Sequence, residues 1–238
     1  MKAIILHDHE VRALLERGRV LLVRPMAKQP EAIVSEIASA RVLEDHKRGN
    51  VYAAFYDTDG SRIADCDVYS PYGKPGERRW VRECWAYWVC EHPIYEGASH
   101  EMAMDAGDPD LEGYPIHMGN ESEYVPIHRA TNDDYRGPWT SATHMPRWAS
   151  RATVEVEHVK AARWQGIKPE QVEAAGVNVV RHLPAWVAPG ADLDGLIATM
   201  AQRAMAEAWG HYHPRHPWGD DGWAWFVMVR RVEEGDDG

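Results

Sequence analysis

Between Gly73 and Trp85 the chain reads Gly-Lys-Pro-Gly-Glu-Arg-Arg-Trp-Val-Arg-Glu-Cys-Trp, and this stretch constrains the fold more than any other. Pro75 presets one turn dihedral and Gly76 tolerates the next, so a tight turn feeds straight into an extended segment. Side chains alternate along a strand, which puts Val81, Glu83 and Trp85 on one face and Trp80, Arg82 and Cys84 on the other. Glu83 thereby falls on a face that must pack. A bare carboxylate there is costly, so Glu83 pairs, takes up a proton or lines a pocket. An ion pair with an arginine of a neighbouring strand, holding the sheet together, satisfies the same demand, and both readings stand.

Other segments give local signals of the same kind. Ala3 to Leu6 reads as a first strand, and Asp8 as the N-cap of a short helix with Val11, Leu14 and Leu15 on one face. Gly18 stops that helix, and Val20 to Val23 reads as a buried strand closing on Arg24-Pro25. The loose period of Ile33, Ile37 and Leu43 predicts a helix over 31–46, and Asp57-Thr58-Asp59-Gly60 predicts a hairpin between 51–56 and 62–68. Glu91 to Gly137 is rich in Gly, Pro, His and acids without a sustained period, which marks a surface insertion ordered in part around Tyr95, Tyr114 and Tyr124. Met145 to Ala149 is a tight turn or short helix, and Thr153 to Val159 a half-buried strand with Val154, Val156 and His158 inward. Pro169 to Ala175 is a short helix stopped by Gly176. Asp192 to Trp209 is an amphipathic helix, with Leu193, Leu196, Ile197, Met200, Ala204 and Ala208 on its packed face. Trp223 to Val229, apolar on both faces, is a central strand, and Glu233 to Gly238 an acidic tail. The sum is an α+β chain with strands at both ends, a small barrel or curved sheet with peripheral helices.

A chain of 238 residues buries a core without disulfides or metals, and no linker divides it, so one domain over 1–238 is expected. Cys66, Cys84 and Cys90 form no CxxC pair and suit a reducing cytoplasm. No signal peptide or membrane span is legible, which points to a cytoplasmic protein. A net charge of −11 disfavours tight nonspecific binding to long duplexes. Phosphate-cradling glycine loops, nucleophile elbows and zinc-protease motifs are absent from the sequence, and no cofactor is expected.

Three segments in order carry a family resemblance: Val11 to Arg24, Tyr72 through Glu83-Cys84-Trp85-Ala86, and His144-Met145-Pro146-Arg147-Trp148-Ala149-Ser150-Arg151. With the Trp223-Ala224-Trp225 strand, the chain resembles the ASCH-domain proteins of bacteriophages and prophages. That resemblance implies a PUA-like β-barrel in a bacterial or phage-infected cell, with a cleft for RNA or nucleobases. One branch of the superfamily hydrolyses N4-acetylated cytidine. The family's Gly-x-Lys-x-x-Thr-x-Arg signature is incomplete here: from Gly18, Val20 stands for the lysine, Val23 for the threonine and Pro25 for the arginine. A shift of one residue makes Arg19 the lysine's counterpart and Arg24 the arginine, and leaves Leu22 for the threonine.

The candidate ligand-binding residues are Glu83, Arg24, Trp85, His144, Arg147 and Trp148, with a nucleobase, nucleoside or short single-stranded RNA as partner. Glu83 accepts from an exocyclic amine, Arg24 donates to a phosphate or carbonyl, and Trp85 or Trp148 covers the ring. Trp148 also reads as a plug beneath its own turn, and Arg147 and Arg151 as partners of surface acids such as Glu155. If the protein is an amidohydrolase of acylated nucleosides, Glu83 is the base, Arg24 or Arg147 stabilises the oxyanion, and Arg19 keeps the charge of the family lysine. Arginine stays charged and does not replace a lysine base. A ribonuclease using His144, or an acidic protein that binds a basic host factor through the insertion, are the other readings. His211, His213 and His216, with Asp220 and Asp221 nearby, have metal-ligand types and spacing but lie beside Pro214 in a segment that reads as a loop.

Overall fold

Among the described residues, strands outnumber helices. The computed structural model describes residues 1–30, 37–90, 117–119, 122–182, 184, 191–220 and 222–232. In order, these form β1 (Lys2–Ile5), α1 (Asp8–Arg17), β2 (Arg19–Pro25), β3 (Ser39–Asp45), β4 (Asn50–Tyr56), β5 (Val68–Tyr69) and β6 (Arg78–Arg82). There follow β7 (Trp85–Cys90), β8 (His117–Gly119), β9 (Ser122–His128), β10 (Thr153–Arg163), α2 (Pro169–Ala174), α3 (Leu193–Tyr212) and β11 (Trp223–Val232). The protein is therefore mixed α+β. Among the described residues no sheet closes into a barrel, and strands as short as β5 and β8 carry no ladder far enough to close one.

The chain divides into two compact units, Met1–Asp8 with Trp80–Thr153, and His9–Arg79 with Val154–Gly238. In the second unit β11 lies between β10 and β2, and Ala224, Trp225, Phe226 and Val227 are all buried, as its apolar pattern on both faces demands. Its antiparallel register sets Trp225 opposite Arg24 and Phe226 opposite Val23. Trp164, Trp209, Phe226, Val172 and Met205 form the core beneath this sheet. Helix α3 joins that core through Ala201, Ala204, Met205 and Trp209, while Leu193 and Ile197, expected on its packed face, are 57% and 41% exposed. Asp192 caps it, its carboxylate accepting from Gly195 N. Gly176, at φ +78°, ends α2 where a Cβ would meet the His9 carbonyl oxygen, so two demands fix glycine there.

Three further expectations fail in this unit. Ser39–Asp45 is a strand, not the second half of a helix, and it pairs antiparallel with β4. The Asp45 carboxylate accepts from the backbone of Lys47 and Arg48, and Gly49 takes φ +61°, so turn chemistry and cross-strand pairing override a loose helical period. The first half of that expected helix, 31–36, lies outside the described residues, as does the tail at 233–238. The turn at 57–60 forms, but the returning strand is reduced to a Tyr56–Arg62 bridge and the two residues of β5. His158, expected inward, is exposed on β10.

In the first unit β1 lies beside β6, and Leu6 N donates to the Arg82 carbonyl at 2.9 Å. The strand expected to run on through Trp85 breaks at Glu83-Cys84 and restarts as β7. Burial alternates from Val81 to Trp85, with Val81, Glu83 and Trp85 inside, while Trp80, expected on the opposite face, is buried as well. β7 pairs antiparallel with β9, which pairs with β8, so the segment read as an aperiodic insertion contributes two strands. Tyr124 lies in β9; Tyr95 and Tyr114 lie outside the described residues.

Candidate functional site

Glu83 sits where β6 gives way to β7. Arg82 ends the strand with its guanidinium over the Trp80 ring and Nη1 donating to the Thr143 carbonyl, and Glu83 N donates to Met145 Sδ. The Ser150 hydroxyl lies at 2.8 Å from the Val81 carbonyl and 3.1 Å from that of Ala152, which holds the next residue, Arg151, against the break. Arg151 then grips both Glu83 oxygens, Nε to Oε1 at 2.9 Å and Nη2 to Oε2 at 2.8 Å, while Nη1 donates to Thr131 Oγ1. Glu83 is 1% exposed. Burial raises its carboxyl above the ordinary value, Arg151 offsets this only in part, and the Asp8 charge adds to the rise. Asp8 itself is held by Arg129 at 2.7 Å. The sequence reading gave Arg151 a surface acid such as Glu155 as its partner. Its partner is Glu83, and Glu155 faces Arg230 and Arg78.

An aromatic wall adjoins this pair. Trp85 packs with Met145 and Ala149, and the half-buried Trp148 meets Trp85 edge-on at 5.8 Å. Tyr87, 51% exposed, tilts toward Trp85 at 6.2 Å. Trp85 Nε1 is buried and has no hydrogen-bond acceptor among the described residues. His144 and Arg147 stand exposed on the two short turns that carry Met145 and Trp148. Beneath the wall, His128 Nε2 lies 2.8 Å from the Ala149 carbonyl. Burial and then the Arg151 charge push the His128 value down to about 3, so it is a neutral ring at physiological pH. Glu83, Trp85, His144, Arg147 and Trp148 thus belong to one unit.

Arg24 and Arg19 belong to the other. Arg24, on β2, grips Glu10 of α1 with Nη1 to Oε1 at 2.5 Å and Nη2 to Oε2 at 2.6 Å. Burial alone would lower the Arg24 value, but Glu10 outweighs it and the net shift is upward. Tyr72 and Tyr212 lie within electrostatic range of this pair. So does His213, which burial and then Arg24 push down to about 4. Arg19 lies outside this cluster, 58% exposed and paired with Glu157 at 2.8 Å. His213 packs on Trp209 and His211 on Tyr212, and among the described residues no group of three His, Cys, Asp or Glu side chains could hold one metal ion. Glu10 and Arg151 were not singled out from the sequence as site residues. Glu10 carried the signal that Glu83 carried, an acid on the helix face of Ala13 and Leu14.

Compared with known proteins, the chain matches no family model, no curated protein and no solved structure. No helix among the described residues is long and apolar enough to cross a membrane.

Proposed function

We propose that this is a PUA-like protein of the ASCH type that recognises a nucleobase, nucleoside or short single-stranded RNA at the Glu83 site. The observation that carries the reading is the fixed Glu83–Arg151 pair set against the Trp85–Trp148 wall. Each Glu83 oxygen accepts one Arg151 hydrogen and keeps a further lone pair, which suits an exocyclic amine. Trp148 and Tyr87 offer ring faces, and the exposed Arg147 and His144 offer donors to a phosphate or sugar. The acidity of the whole chain is no obstacle, because outside 91–137 and 233–238 lysine and arginine slightly outnumber aspartate and glutamate. A base enters beside Trp148, since Glu83 itself is covered.

Hydrolysis of an N4-acylated cytidine has less support. Val20 and Val23 are both buried, and the charged neighbour Arg19 is engaged on the surface with Glu157. The test is calorimetric titration of cytidine, adenosine, guanosine and uridine, with mass-spectrometric turnover of N4-acetylcytidine run in parallel. Binding of amine-bearing nucleosides, weak for uridine and lost in Glu83→Gln and Trp148→Ala, is the expected result. Unchanged binding in both folded variants, or no binding by wild type, would sink it. Turnover by wild type that is lost in Glu83→Gln would replace recognition with catalysis.

A further inference from the structure

The three-stranded sheet β3-β4-β5 in the second unit presents two unlike faces. Val51, Ala53 and Phe55 are buried on one. Register places Tyr52 opposite Leu43 and Tyr69, Ala54 opposite Arg41, and Tyr56 opposite Ser39, so Tyr52, Tyr56, Tyr69 and Arg41 share the other. On that face every tyrosine ring carries an arginine. Arg41 lies 4.7 Å from the Tyr56 centroid, Arg48 4.8 Å from Tyr69 and Arg62 5.7 Å from Tyr52. Tyr52 and Tyr69 stand 5.5 Å apart across the strands. Arg48 and Arg62 are 69% and 45% exposed, and Tyr69 reaches solvent as well.

We propose that this tyrosine–arginine face is a second binding surface, and that its occupant is a single strand of nucleic acid read through its bases. It belongs to the other unit from the Glu83 site and does not depend on that reading. Tyr52 and Tyr56 are half-buried and Ala54 fully so, yet the face keeps three tyrosine rings, each with a guanidinium against it, where an ordinary solvated sheet face carries short polar side chains. Bases stack on tyrosine rings and on guanidinium planes, and sheet faces of this kind take roughly two or three bases. The acids present bear on the balance of forces. Asp67 pairs with Arg62 at 2.6 Å, and Asp45 lies 3.8 Å from Arg48 and accepts from the Tyr69 hydroxyl. Arg41 has no ion pair among the described residues and is the guanidinium most ready for a phosphate. Exposed pairs such as Arg62–Asp67 are weak and exchange partners readily. Stacking therefore supplies most of the affinity, and few counterions are released.

The experiment is fluorescence anisotropy with labelled oligouridylate and oligothymidylate over a salt series. Wild type is compared with the Tyr52→Ala/Tyr69→Ala double variant, with Arg41→Ala, with Arg136→Ala as the control in the other unit, and with Trp148→Ala, which removes the ring of the Glu83 site. All substitutions on the sheet face lie at exposed or half-buried positions, and circular dichroism checks their folding. Loss of at least about tenfold in the tyrosine variant is expected from stacking of each base. The salt slope should be shallow and fall by about 0.7 in Arg41→Ala. Arg136→Ala, at an exposed position outside both sites, should bind both oligonucleotides as wild type does. Equal binding by the folded tyrosine variant, or equal affinity of wild type for inorganic polyphosphate, which has no bases, overturns the proposal. So does loss of binding in Trp148→Ala alone, which would assign the strand to the Glu83 site.

Discussion

Glu83–Arg151 and Glu10–Arg24 are the same device in the two units: a carboxylate gripped through both oxygens by a guanidinium, with little of either side chain exposed. Their surroundings separate them. Arg24 is shifted upward despite its burial, so attraction to Glu10 exceeds the cost of removing the guanidinium from water. Glu83 is also shifted upward, which means that attraction to Arg151 does not repay the cost of burying the carboxylate. One pair is a lock between α1 and β2. The other ties the break between β6 and β7 to Arg151, beside the aromatic wall, with burial holding its acid above the ordinary value.

The sharpest way to break that contrast is Glu10→Gln. Stranding Arg24 in a buried site should cost about 3–5 kcal/mol in urea melts, and a loss near zero would show that Arg24 finds another partner. Next in size is acid. His213 and His128, at about 4 and about 3 when folded, have folded-state values below the unfolded 6.5, so the stability they contribute is complete above pH 6.5. It is lost as pH falls, by a few kcal/mol in all, through pH 4 for the second unit's histidine and down to 3 for the first's. His213→Gln should flatten the stability curve between pH 6.5 and 4, while His128→Gln should flatten it from 6.5 down to about 3; identical curves for wild type and both variants would remove these rings from the account. Glu83→Gln should cost only about 1–2 kcal/mol, because the amide oxygen still accepts from Arg151 and Thr131 still takes its third bond. Should it cost as much as Glu10→Gln, the two pairs are alike after all. Smallest is Arg19→Ala, an exposed pair worth less than about 0.5 kcal/mol by the same melts.

How much of this was legible depended on whether a residue's partner was local. The turn at Pro75-Gly76, the stops at Gly18 and Gly176, and the apolar run of β11 follow from dihedral preference and alternation, and all are present. The buried acid at 83 followed from the pattern of its neighbours, since alternation persisted through the break in the strand. Its partner did not follow, because 68 residues separate Arg151 from Glu83 and only tertiary folding joins them. The helix expected over 31–46 failed at 39–45 for a related reason: a weak period of three apolar residues lost to pairing with β4, which no local rule encodes. The aromatic wall was readable as tryptophans at 85 and 148, but not as an edge-on pair.

The pairing of β7 with β9 has a practical corollary. Cys90 and Glu123 are register partners, so the two ends of the chain between them are held a single inter-strand spacing apart. Doubling the length of this excursion would cost only about 0.6 kcal/mol of closure entropy. This makes the excursion a natural port. A fluorescent reporter could be spliced there, or new chain ends opened there by permutation, with β7 and β9 left in register.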